Sequence, residues 1–183
     1  VYPENTSPKS NVILYLNEAG KSDFLSDENT ILSYVNRNDI VIAADLRGYG
    51  ETSDPLSLNE TKYWNNEYRN AMISMHAGRP AMGQRVTDII SLVDFARSDK
   101  LLKGRKVFIS ANGSYGPAVI HATFLDNRIE SAEITRSIKS FKQYITNPMQ
   151  RDVYTNVLCG VLKYYDLKDL AELSGRNRIR IPD

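Results

Sequence analysis

The sequence predicts an α/β fold of three layers, in which helices cover both faces of a doubly wound, mostly parallel sheet. Two observations support this class. Short apolar runs of strand length alternate along the chain with segments of helical periodicity. The first two of these runs are almost continuously apolar, which is typical of parallel strands covered on both faces. Alternating strands and helices connect by right-handed crossovers, so the sheet is expected to be doubly wound.

The elements of the first half follow in order. Residues 1–10 contain two prolines and predict a linker, whereas residues 11–183 predict a single domain. The run NVILYL is the first strand, residues 27–36 are a helix, and DIVIAAD is the second strand. A helix with a Gly/Pro break is expected over residues 58–83. Residues 84–98 predict the clearest helix, because apolar residues recur there at spacings of three and four: Val86, Ile89, Ile90, Val93 and Ala96.

The second half repeats the pattern. VFIS is the third strand, NGSYG a tight turn, residues 117–126 a helix, and ESAEIT a weaker strand; a helical region then extends to residue 170, and RIRI is the last strand. The chain begins at Val1 without an apolar leader and stops at Asp183, directly after that last strand. We therefore expect a piece of a longer protein, with the fold truncated at its C-terminal end.

Composition limits the classes of partner. The 23 basic and 22 acidic side chains give a net charge of +1, which provides no field to attract nucleic acid or an anionic membrane. No apolar run approaches the roughly 20 residues that a membrane span needs. We therefore exclude nucleic acid and membrane as main partners. No residues have metal-ligand spacing, so neither a metal nor a cofactor is expected. Cys159 is the only cysteine, and its setting in NVLCGVL predicts a buried residue.

Ligands of a parallel sheet bind beyond the carboxyl ends of its strands, so the loops at those ends are the candidate site. In chain order, these loops are NEAGK, DLRGYGETS, NGSYG, RSIKS and PD. The third loop follows a β-branched strand and precedes a helix, which is the layout of a tight elbow that either presents a nucleophile or packs a helix on the sheet.

These loops together resemble the α/β-hydrolase fold, from about Asn11 to the end of the chain. The resemblance is carried by DLRGYG after the second strand, by the elbow at residues 110–116, and by PAVIHATFLDNRIESAEI. More narrowly, LYLNEAGK, MGQRVTDIISLVDFARS and GVLKYYDLKDLAEL are similar to the acetyl-xylan-esterase-like branch. The resemblance implies ester hydrolysis by a serine, an acid and a histidine in that chain order, with backbone N–H groups forming an oxyanion hole. It also implies an extracytoplasmic location.

The elbow can be aligned in two registers. In one, Ser114 takes the nucleophile's position, with Asn112 replacing the first glycine of G-x-S-x-G. In the other, which keeps the lengths of the following helix and strand, Gly113 takes that position and no nucleophile is present. The second register is slightly favoured. Glycine there would tolerate the strained positive φ of an elbow without any catalytic purpose.

The sequence offers only weak candidates for the acid and the base of the catalytic set. The resemblance places the acid near Asp183, at the end of the chain, and no histidine follows it. His121 lies in the helix after the elbow, where a structural role is favoured, and His76 is a weak candidate for the base. Asn17, Glu18 and Tyr115 lie where the oxyanion loops are expected. A carboxylate at Glu18 would oppose the negative charge that develops in ester hydrolysis.

Two hypotheses follow. The first is an esterase-like module that deacetylates plant polysaccharide through Ser114, with its base and acid outside or at the edge of the given chain, and that binds a small-molecule or oligosaccharide ester. The second is a catalytically silent pseudo-esterase, a binding or structural module that works with other domains of the same carbohydrate-active parent chain. Whether the protein is an enzyme is left open between the two.

Overall fold

A computed structural model describes residues 1–4, 6–7, 9–55, 57, 67–150 and 153–182. Its centre is a five-stranded sheet in the order β2-β1-β3-β4-β5, and each neighbouring pair is parallel. The strands are β1 Val12–Asn17, β2 Ile40–Ala43, β3 Val107–Asn112, β4 Ile129–Thr135 and β5 Ile179–Arg180. The predicted α/β class and the parallel sheet are confirmed.

Seven helices connect these strands within the described part of the chain. They are α1 Lys21–Ser26, α2 Glu28–Val35, α3 Tyr68–His76, α4 Ala81–Ser98, α5 Gly116–Leu125, α6 Lys142–Thr146 and α7 Leu167–Leu173. The break expected within residues 58–83 lies between α3 and α4, where Gly78 has a φ of 70°. The N-terminal part of that prediction, residues 58–66, lies outside the described residues.

The sheet separates two apolar clusters. The larger lies on the side of α4, α5 and α7, and it includes the fully buried Val12, Leu14 and Ile109 of the two central strands. The smaller lies on the side of α1 and α2 and joins Ile13 and Val41 of the sheet to Phe24 and Tyr34 of these helices. Helices therefore lie on both sides of the sheet, which is the three-layer arrangement expected from the sequence.

The first residue contacts the sheet. The amino group of Val1 donates a hydrogen bond to the carbonyl of Val41 at 2.8 Å, and the carbonyl of Val1 accepts one from the N–H of Val41 at 3.0 Å. The division into a linker and a domain at residue 10 stays a prediction. Among the described residues, no helix combines the length and apolarity that a bilayer crossing requires, and no group of three potential metal ligands is found.

The prediction for Cys159 is wrong, because the residue is exposed. Its Sγ lies 3.3 Å from Sδ of Met75. Gly160 adopts a φ of 76° and starts a short turn over Val161–Lys163, so the apolar run NVLCGVL is neither a strand nor a buried helix. Local apolarity predicted burial, whereas the run forms the wall of an open groove.

Candidate functional site

A cleft of about 380 Å³ opens at the carboxyl ends of the strands. Residues from four of the five candidate loops line it, together with two residues from and beyond α6. The lining residues are Glu18, Ala19, Tyr49, Gly113, Ser114, Arg136, Ser137, Ile138, Tyr144 and Gln150. The parallel order of the sheet places these loops at one edge, as the topology predicts.

The elbow between β3 and α5 has a glycine at its apex. Gly113 adopts a φ of 79°, and a 3₁₀ turn over Gly113–Tyr115 leads into α5 at Gly116. An L-residue pays about 1–2 kcal/mol in the left-handed region, whereas glycine pays little. The strained position is therefore Gly113, and Ser114 is the next residue, within the turn. This is the geometry of the second register.

The carboxylate of Glu18 fills the space in front of this apex. A Cβ atom built on Gly113 would overlap the carboxyl carbon Cδ of Glu18 and both of its oxygens. The N–H of Ser114 donates to Oε2 of Glu18 at 2.7 Å, across 96 residues of sequence. Any side chain at position 113 would therefore require the Glu18 carboxylate to leave this N–H group.

The N–H groups of Glu18 and Ala19, in the loop after β1, already have acceptors within the protein. The N–H of Glu18 donates to the carbonyl of Asn112 at 3.3 Å, and that of Ala19 donates to Oδ1 of Asn17 at 3.1 Å. Asn17 is itself buried, and its amide also donates to Asp23 at 2.7 Å. The side chain of Asn17 therefore shapes the loop rather than the cleft.

The hydroxyl of Ser114 pairs with a tyrosine. Ser114 Oγ lies 2.6 Å from the hydroxyl of Tyr49, either atom being the donor. The guanidinium of the buried Arg85 stacks over the Tyr49 ring at 4.6 Å from its centroid, a cation–π contact. The neighbouring Tyr115 is completely buried against Tyr49, and burial raises the pKa of its hydroxyl. The side chain of Tyr115 is thus part of the core and does not face the cleft.

Neither histidine is among the described residues that line the cleft. The ring of His121 is buried, with Nδ1 2.6 Å from the carbonyl of Pro117 and Nε2 2.8 Å from the hydroxyl of Tyr165. Burial lowers its pKa. His76 ends α3, where its Nδ1 lies 2.7 Å from the carbonyl of Met72. The other candidate, Asp183, lies outside the described residues.

The loop after β4 closes the opposite wall of the cleft. Arg136 has a φ of 52°, and its Nε donates to Oδ1 of Asn112 at 3.0 Å. Ser137 Oγ is buried, has no hydrogen-bond partner among the described residues, and lies directly over Gly116. A buried hydroxyl without a partner is an unused donor and acceptor at the edge of the cleft.

Two solved structures share this fold. A Bacteroides fragilis protein assigned as an acetyl xylan esterase superposes with a TM-score of 0.75 over 100% of this chain, at 15% identity. The acetyl xylan esterase from Paenibacillus sp. R4 superposes with a TM-score of 0.60 over 93% of the chain, also at 15% identity. The chain has the fold of the acetyl xylan esterases. The predicted fold is confirmed.

The acetyl-xylan-esterase fold is covered here only in part. The chain spans 54% of the length of each of the two solved structures. No protein-family model and no curated protein sequence matches the chain. At this level of identity the likeness defines the architecture, whereas the chemistry at the elbow must be judged from the residues of this chain.

Sequence reasoning missed two features of the site. Glu18 stood out as unfavourable for catalysis, but its contact with Ser114 joins residues that are distant in the sequence, and no local pattern reveals it. Tyr144 and Gln150 come from and beyond α6, in a region that sequence analysis described only as helical. The one signal that pointed to this wall was the position of RSIKS after a strand.

Proposed function

We propose that this protein is a catalytically silent module with the acetyl-xylan-esterase fold, and that it binds carbohydrate in the elbow cleft. The observation that carries the proposal is the Glu18 carboxylate, which occupies the space before the elbow apex and accepts the N–H of Ser114. In this fold, that space holds the nucleophile's side chain, and that N–H stabilises the oxyanion.

Three physical reasons argue against ester hydrolysis. Gly113 has no nucleophilic side chain, and the Glu18 carboxylate would have to move to admit one. A carboxylate at the oxyanion site would repel the negative charge that develops on the carbonyl oxygen. The hydrogen-bond partners found for the rings of His76 and His121 are backbone carbonyls and Tyr165, so neither contacts the Ser114 hydroxyl. Neither histidine of this sequence is therefore placed to act as a base for Ser114.

The composition of the cleft supports a carbohydrate ligand. Glu18 supplies acceptors for sugar hydroxyls, while Ser137 Oγ, the Gln150 amide and the Arg136 guanidinium supply further hydrogen-bonding groups. Tyr144 and Ile138 add apolar surface on which the C–H face of a sugar ring can pack. A cleft of 380 Å³ lies within the range of small-molecule sites. The likeness to acetyl xylan esterases supports xylan as the polysaccharide.

A titration of the protein with xylotetraose in a calorimeter tests the binding. The wild type is expected to bind, and Glu18→Gln to bind about fivefold to tenfold more weakly, because a charged acceptor becomes a neutral one. Glu172→Gln, on the exposed surface of α7, is the matched control and is expected to bind like the wild type. Equal affinities for the wild type and Glu18→Gln would contradict the proposed site.

Hydrolysis through Ser114 is the second candidate, favoured by the 2.6 Å hydrogen bond between its hydroxyl and that of Tyr49. The rate of p-nitrophenyl acetate hydrolysis separates the two functions. We expect the wild type and Ser114→Ala to release nitrophenol at the same rate as buffer alone. Turnover by the wild type that disappears in Ser114→Ala would establish the serine as a nucleophile. It would contradict the proposal that the module is catalytically silent.

A further inference from the structure

An apolar groove of about 440 Å³ lies beside the elbow cleft, between α6 and the segment over residues 157–163. Among the described residues that line it, only Lys163 carries a charge. The lining residues are Phe141, Tyr144, Ile145, Val157, Leu158, Cys159, Gly160, Val161, Leu162 and Lys163. We refer to this set as the α6 groove.

The groove exposes side chains that a protein usually buries. Ile145 is 69% exposed and Leu162 is 37% exposed, so two large aliphatic side chains of the α6 groove meet water. The left-handed Gly160 and the turn over Val161–Lys163 hold the far wall in place. A contiguous apolar surface with this concave shape is typical of a binding site rather than of ordinary surface.

The α6 groove adjoins the elbow cleft, and one residue belongs to the lining of both. Tyr144 lines both, and it packs against the main apolar cluster below them. One side of the Tyr144 wall carries the polar groups Glu18 and Gln150, whereas the other side carries Ile145 and Leu162. A ligand held in the cleft therefore has an apolar surface within reach of any substituent that passes Tyr144.

We propose that the cleft and the α6 groove form one binding site for a sugar that carries an apolar acyl, alkyl or aryl substituent. This inference rests on the proposed function and specifies its ligand class: the sugar lies in the cleft against Glu18, and the substituent lies in the groove against Ile145 and Leu162. Because Tyr144 lines both the cleft and the groove, the two lie side by side, which favours a single amphiphilic small molecule over two independent ligands.

Three probes separate the parts of such a ligand. Octyl β-D-xylopyranoside carries both parts, methyl β-D-xylopyranoside carries the sugar alone, and 1-octanol carries the chain alone. In calorimetric titrations below the micelle-forming concentration, we expect the octyl xyloside to bind at least tenfold more tightly than either of the others, since each buried methylene adds to the affinity. Equal affinities for the octyl and methyl xylosides would overturn the proposal.

Two exposed aliphatic side chains, Ile145 in the groove and Leu173 outside its lining, provide matched variants. Ile145→Ser removes apolar surface from the α6 groove, and we expect it to weaken octyl xyloside binding at least threefold without changing methyl xyloside binding. Leu173→Ser, on α7 and 72% exposed, lies outside the groove lining and should change neither. Thermal unfolding of both variants checks that each is folded. A loss of affinity of the same size in both variants would contradict the role of the groove.

Cys159 reports on the groove directly, because it is the only cysteine of the chain and is exposed in the groove wall. Octyl xyloside is expected to slow its alkylation by iodoacetamide, and methyl xyloside is not. If 1-octanol protects Cys159 as well as octyl xyloside does at the same concentration, the groove acts without the cleft and the joint site is wrong. Xylotetraose binding that depends on Glu18 would then leave the proposed function standing.

Discussion

The elbow has a glycine on the side of the cleft, Gly113, and another on the side of the sheet, Gly116, and the two glycines are packed against different groups. At the front, a Cβ on Gly113 would overlap the carboxylate of Glu18, the end of a flexible and exposed side chain. At the back, a Cβ on Gly116 would overlap Oγ and Cβ of Ser137 and come within 3.1 Å of Cγ2 of Ile134, in a buried strand. The front can be rearranged by moving one flexible side chain, whereas at the back the loop that carries Ser137 after β4 would have to shift.

This difference shows which part of the elbow the fold requires and which part can vary. The back of the elbow packs α5 on the sheet, and the stability of the whole domain depends on it. The front meets only the cleft, so its residues can change with little effect on folding. A fold shared with these solved structures at 15% identity is therefore compatible with a glycine at the apex of the elbow.

The largest effect is expected at the back of the elbow. Gly116→Ala should lower the free energy of unfolding by about 3 kcal/mol, because the added methyl group overpacks the contact with Ser137 and Ile134. Urea unfolding measured by circular dichroism gives this value. Gly83→Ala is the control: it lies in α4 with only Pro80 Cγ near, at 3.9 Å, and should raise stability by about 0.5–1 kcal/mol. If Gly116→Ala and Gly83→Ala changed the free energy of unfolding by similar amounts, the packing of Gly116 against Ser137 and Ile134 would not be critical for stability.

A smaller effect is expected at His121, which joins the back of the elbow to Tyr165. His121→Gln should cost about 1–2 kcal/mol at pH 7, since the hydrogen bonds to Pro117 and Tyr165 are weakened. Burial lowers the pKa of His121 below its usual 6.5, so the unfolded chain binds a proton in mildly acidic solution while the folded ring stays neutral.

The sign of the pH dependence follows from this. The stability of the wild type should fall as the pH drops through 6.5, and His121→Gln should lose that part of the dependence. Unfolding curves at pH 7.5 and pH 5 for both proteins provide the measurement. The opposite result would be a wild type that loses less stability between pH 7.5 and pH 5 than His121→Gln does. That result would mean that His121 is charged in the folded state.

The smallest effect is expected at the front. Glu18→Ala removes an exposed side chain and one hydrogen bond, so it should change the free energy of unfolding by about 1 kcal/mol or less. The same substitution is expected to abolish most of the xylotetraose binding. A destabilisation as large as that of Gly116→Ala would show that Glu18 belongs to the scaffold.

Sequence patterns predicted the fold better than the site, for reasons visible in particular residues. β1 and β2 were predictable because nearly continuous apolar runs are typical of parallel strands covered on both faces. α4 was predictable because apolar residues at spacings of three and four mark the face that a helix buries. Cys159 was misjudged, because a window of seven residues does not show that Gly160 turns the chain away from the core. The sequence favoured the second register of the elbow only slightly, since the positive φ of Gly113 is a property of the folded backbone.

The contribution of α6 and the residues after it to the cleft was missed for a similar reason. Tyr144 and Gln150 reach the cleft only after β4 has been placed beside β3 in the sheet, so their role depends on tertiary structure rather than on spacing. By contrast, the loop after β4 was a candidate from the start, because it follows a parallel strand. Topology thus predicted where the site lies, and packing determined what it contains.

The most direct test of the central claim is a double-mutant cycle between Gly113→Ala and Glu18→Ala, read from urea unfolding. In the presence of Glu18, an alanine at position 113 pays about 1–2 kcal/mol for its positive φ and also displaces the carboxylate from the N–H of Ser114. Without Glu18, only the backbone strain remains. We therefore predict a coupling free energy of about 1 kcal/mol, with the double variant more stable than the sum of the single changes implies. Additive effects within about 0.3 kcal/mol would mean that the Glu18 carboxylate does not occupy the nucleophile's place.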